Sequence, residues 1–182
     1  MAKRYKYENA SLTRRIMSYF IDWYLGALCT AFPIAIVSQK LYGTMLKQNI
    51  MKIQQPYGFI AGIIGILCAL FYYIYVPCFI YKGQTLGKYL CKIKIVQVDL
   101  QEVSCKSMIL RQGLGMIVVE GILVSASSLW HQLVSLCIHI NIVSIMMYAG
   151  FVIGGISALM VVFTKEHRAL HDYIGKTKVV GV

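Results

Sequence analysis

Residues 57–81 and 140–163 carry no charged side chain over 25 and 24 consecutive positions. A helix of about 20 apolar residues crosses the hydrocarbon core of a bilayer. Backbone groups in lipid must pair within their own segment, so each stretch reads as a transmembrane helix. Residues 16–38 and 112–130 form two further apolar stretches, interrupted only by Asp22 and by Glu120. At 58% hydrophobic residues and a mean hydropathy of +0.66, the chain exceeds the roughly 45–50% apolar content of soluble domains. The expected fold class is an all-α membrane protein in one domain, 1–182, with four transmembrane helices at about 16–38, 57–81, 112–130 and 140–163.

Between these spans the basic residues are unevenly divided. Five lie in residues 1–15, six in 82–111 and four in 164–182, against three in 39–56 and none in 131–139. Fifteen of eighteen therefore fall on one side of a four-span chain. The positive-inside rule then makes it a multi-pass cell-membrane protein with both termini and the central loop in the cytoplasm. Anionic headgroups are the expected partner of these charges and account for much of the net charge of +11. No element for reading nucleic acid accompanies them. A 13-residue polar lead before Arg14 and Arg15, followed by a run longer than a signal h-region, argues that the first span is retained. The six cysteines, at 29, 68, 78, 91, 105 and 137, have no metal-ligand spacing and read as small apolar packers.

The stretch GQTLGKYLCKIKIVQV, 83–98, returns as HRALHDYIGKTKVVGV, 167–182, with six identities at a constant offset of 84. Each copy follows an uncharged run. Ser11 precedes Arg15 by four residues, and Ser107 precedes Arg111 by four. This predicts two parallel repeats, 11–98 and 107–182, each a helical hairpin followed by an interfacial amphipathic helix and a short cytoplasmic β-strand. A lone strand would expose both edges, so 93–98 and 177–182 are expected to pair.

Three ordered segments, RRIMSYFID (14–22), GQTLGKYLCKIKIVQVD (83–99) and RALHDYIGKTKVV (168–180), resemble the RDD family of bacterial membrane proteins. That family is named for an arginine at the mouth of the first helix and two aspartates. The resemblance maps the arginine to Arg15, with Arg14 adjacent, and the first aspartate to Asp22. It maps the second to Asp172, with Asp99 the other candidate. Gly83, Thr85, Gly87, Lys88 and His171 complete the motif positions. The resemblance implies transport of some ligand, with sodium/proton exchange attributed to some members.

Asp22 and Glu120 are the candidate functional carboxylates, because an ionisable group within a span must face the bundle or water. One reading is a proton or cation site; the other is a set of ion pairs, such as Asp22 with Arg111 and Glu120 with Arg15. His167 and His171, near Glu166 and Asp172, have i, i+4 spacing but not the order of an HExxH site, so a structural hook is expected rather than a metal site. His131 and His139 read as interfacial. Gly58/Gly62 and Gly150/Gly154 mark close helix crossings. No catalytic constellation and no cofactor motif is present, so an enzyme is not expected. The two surviving functions are a small transporter of a proton, cation or solute, and a non-catalytic scaffold, assembly factor or self-immunity protein. Either could act as a homo-oligomer or with another membrane protein.

Overall fold

A computed structural model describes residues 8–121 and 124–182. Lys3, Arg4 and Lys6 of the basic lead, and two residues of the expected third span, lie outside them. Helix α1 runs Leu12–Tyr42. Helix α2, Tyr57–Ile80, is α-helical to Leu70 and more widely wound, as a π-helix, from Phe71. A short helix α3, Leu86–Leu90, leads into strand β1, Ile93–Gln97. Helix α4, 105–119, again changes from α to π winding at Ile109. Then come α5, Ser125–Ile138, α6, Val143–Phe163, the short helix α7, Leu170–Ile174, and strand β2, Thr177–Gly181.

Three of these helices, α1, α2 and α6, are long and apolar enough to cross a membrane. Their outer faces carry large exposed apolar side chains such as Phe32, Phe71 and Phe151, as lipid-facing helices require. Their inner faces are small or polar: α1 buries Ser18, Asp22, Gly26, Thr30, Ile34 and Ser38, one residue every fourth position. Such a stripe lets helix backbones approach closely where lipid offers no competing hydrophobic force. In α2, a Cβ on Gly62 would come within 2.9 Å of Leu133 in α5, and one on Gly65 within 2.9 Å of the Thr30 carbonyl in α1.

The stretch expected as a continuous helix over 112–130 is instead broken. Helix α4 ends at Val119, Gly121 takes a left-handed φ of 62°, and α5 starts at Ser125. With 14 residues, α5 is about 21 Å long, short of the ~30 Å hydrocarbon thickness. The cause is tertiary. The backbone of α6 fills the break, because a Cβ on Gly150 would stand 2.9 Å from both the Glu120 carbonyl and Gly121. His131 also departs from expectation: it lies inside α5 and is buried, close to Gly121. His139 caps the end of α5 with a φ of 56°.

The two hooks match element for element at the offset of 84. Helix 86–90 corresponds to 170–174 and strand 93–97 to 177–181. Lys92 and Lys176, at equivalent positions, have left-handed φ values of 53° and 52°. The strands pair antiparallel, with Ile95 opposite Val179 at the centre. Shifting both members of the outer pair Ile93–Gly181 by 84 yields Thr177–Gln97, the other outer pair. A two-fold axis through Ile95–Val179 thus exchanges the strands, and pairing satisfies one edge of each.

Candidate functional site

Asp22 sits almost three turns into α1 and is 2% exposed. Its carboxylate accepts hydrogen bonds from the Tyr72 hydroxyl of α2 at 2.6 Å and the Thr85 hydroxyl at 2.5 Å. It also accepts from the Gly87 backbone N–H and the Lys88 ammonium, both at 2.9 Å. Four donors, one of them charged, saturate it. Gly87 is required here by close approach, since a Cβ would meet Asp22 Oδ1 at 2.7 Å and the Ser18 carbonyl at 2.5 Å. Asp22 thereby ties the first hook to α1 and α2.

Glu120, fully buried at the break after α4, has the corresponding place under the second hook. Its carboxylate accepts from the Ser157 hydroxyl of α6 at 2.6 Å, from the His171 backbone N–H at 3.0 Å and from His171 Nδ1 at 2.8 Å. His171 Nε2 lies 3.0 Å from Arg111 Nη2. A guanidinium only donates, so Nε2 must accept, and the proton of a neutral imidazole sits on Nδ1, facing Glu120. Arg111 Nε donates to Asp172 at 2.9 Å, and Asp172 also accepts from the Ala169 N–H and the Thr177 hydroxyl. Burial opposes the charge of Asp172, but Arg111 and the Ala169 N–H outweigh it and hold the carboxyl well below the usual carboxylate range.

The expected pairs are therefore exchanged. Asp22 pairs with Lys88 rather than Arg111, Arg111 with Asp172, and Glu120 with His171 rather than Arg15. Arg15 instead reaches over β2 and donates to the carbonyls of His167 and Val179. The RDD family model matches residues 9–176 of this sequence. The chain belongs to the RDD family. No curated protein and no solved structure matches it. Among its motif residues, Asp172 rather than Asp99 joins the buried network; Asp99 lies in the exposed turn after β1, where it accepts from Gln101 N–H. Arg14 is exposed. Gly83, at a φ of 78°, places its carbonyl to accept from Ile95 N–H, while Thr85, Gly87 and Lys88 form the Asp22 cradle.

Two cavities flank this layer of the RDD protein. One, of about 350 Å³, is bounded on its polar side by Arg15, Lys88, Arg111, His171 and Asp172. The other, of about 430 Å³, is lined by Thr30, Gln48, Asn49, Ser128 and Gln132, among others. Sequence reasoning missed Tyr72, Ser157 and the role of Lys88. The hydroxyls of Tyr72 and Ser157, each set in an uncharged span, were the available signal, since a buried hydroxyl needs a partner.

Proposed function

We propose that this RDD protein is a transporter of a proton, cation or small solute that crosses the membrane four times and is built from two parallel repeats. The observation that carries this reading is the pair of cavities at different levels along α1. The polar cavity reaches Phe20 and the second begins at Ala27, seven residues or about 10 Å apart along the helix. The buried cluster of Tyr72, Tyr73, Met116, Ile117, Val124 and Ala126 packs against Leu25, which lies between those two levels of α1. Transporters place sites at repeat interfaces beside discontinuous helices, and the break at Glu120 supplies one. In this reading α4 and α5 together make the third crossing, and both hooks face the cytoplasm with their lysines toward anionic headgroups.

The coupling residue is Glu120, whose partner His171 lines the polar cavity, whereas Asp22 is neutralised by Lys88. A cation at Asp22 would have to displace Lys88 or the hydroxyl donors. The protein acts without cofactor, enzymatic turnover or nucleic acid. The test is purified protein in liposomes holding a pH-sensitive dye under an imposed pH gradient. Wild type should dissipate the gradient faster than protein-free vesicles, and Glu120→Gln should remove the difference. Dissipation no faster than in protein-free vesicles, by wild-type protein that is folded and inserted, would favour the second reading, a scaffold, assembly factor or self-immunity protein. The complete pairing of Asp22, Glu120 and Asp172 supports that second reading.

A further inference from the structure

We propose that the 350 Å³ cavity binds the headgroup of an anionic phospholipid, admitted sideways from the bilayer between α1 and α6. This inference requires binding only and does not depend on transport. The mouth is apolar and faces outward. On α1 it is formed by Leu12, Ile16 and Phe20, and on α6 by Ala158, Val161 and Val162. Ile16, Phe20, Ala158 and Val162 are exposed. Helix α6 packs mainly on α5 and α7 rather than on α1, which leaves the gap open to lipid.

The interior is basic. Lys88 and Arg111 each have a carboxylate partner, but Arg15 makes no ion pair among the described residues. Its guanidinium has only carbonyl partners, and its Nε is buried without an acceptor. Arg15 therefore brings to the cavity a guanidinium with no direct carboxylate partner and a spare donor, which suits a phosphate oxygen. Arg15 lies three residues from the start of α1, about 5 Å along the axis, so it meets a phosphate near the depth of the headgroup layer. A cavity of this size takes a headgroup and the first carbons of a tail, not two acyl chains, so the chains remain in the bilayer beside Phe20 and Val162.

The full-length protein, delipidated in detergent, is titrated with phosphatidylglycerol or with phosphatidylcholine of the same chains, and bound lipid is counted by native mass spectrometry. One phosphatidylglycerol per chain is expected, with a preference of about tenfold from the headgroup charge. Ala158→Trp fills the mouth without touching the hydrogen-bond network and should lose the lipid at an unchanged melting temperature. Arg15→Lys should retain more of the preference than Arg15→Gln. Equal retention of the two lipids, or full retention by Ala158→Trp, would overturn the site. Displacement by an equal concentration of glycerol phosphate would show a soluble-anion site instead. Conversion of a dimer to a monomer by Ala158→Trp, with lipid binding unchanged, would make this face an interface between copies.

Discussion

The two hooks share a backbone and differ in chemistry. In each, the third residue from the start of the turn presents its N–H to a buried carboxylate: Gly87 to Asp22, and His171 to Glu120. The next residue is a lysine in the first hook and an aspartate in the second. Lys88 neutralises the same carboxylate that the turn caps, so the first hook closes on itself. Asp172 requires a separate cation, Arg111, and His171 bridges Arg111 to Glu120. One half is thus a saturated tether, and the other is a chain of groups running from α6 through Glu120, His171 and Arg111 to Asp172. The same scaffold carries a closed contact in one copy and an extended network in the other because His171 and Asp172 stand where the first hook has Gly87 and Lys88.

The largest effect should come from breaking the second half. Arg111→Gln leaves Asp172 buried without a counter-charge and should lower stability by about 3–5 kcal/mol. Adding Asp172→Asn should recover much of that loss, and strict additivity in a detergent melt would mean that the two residues are not coupled. Asp22→Asn should cost somewhat less, about 3 kcal/mol, because Lys88 is partly exposed and its long stem can carry the ammonium toward headgroups. If Asp22→Asn proves the more damaging of the two, the first hook is the dominant anchor and the contrast reverses. Gly87→Ala should destabilise by about 1–3 kcal/mol through overpacking against Ser18 and Asp22. In the second hook, His171→Ala loses the ring's hydrogen bonds to Glu120 and from Arg111, worth about 1 kcal/mol each.

The smallest effect is confined to acid. The carboxyl of Asp172 is held below its ordinary value in the folded chain. Its stabilising contribution should be complete above the unfolded pKa of about 4 and fade as pH falls through the folded one. The difference in melting temperature between wild type and Asp172→Asn should stay constant from pH 8 to pH 5 and narrow only below about pH 4. Narrowing already at pH 6 would mean that Asp172 is not the group whose protonation sets the difference.

The membrane class and the strand pairing were legible in the sequence because they depend on local quantities. Uncharged length dictates a helix in lipid, and residues 93–98 and 177–182 alternate and repeat at an offset that also sets their register. The carboxylates could be identified as well, since Asp22 and Glu120 stand in otherwise uncharged stretches. Their partners could not. Lys88 and Arg111 lie 66 and 89 residues from Asp22 in the chain, and the choice between them depends on which hook folds back under which helix. The break after α4 was also hidden. Residues 112–130 contain no proline, and only the seating of α6, through Gly150, against Glu120 and Gly121 makes an interrupted helix the better-packed state. Hydrophobic length and repeat spacing are properties of a segment, whereas ion-pair choice and a helix break are decided where segments from distant parts of the chain compete for the same few ångströms.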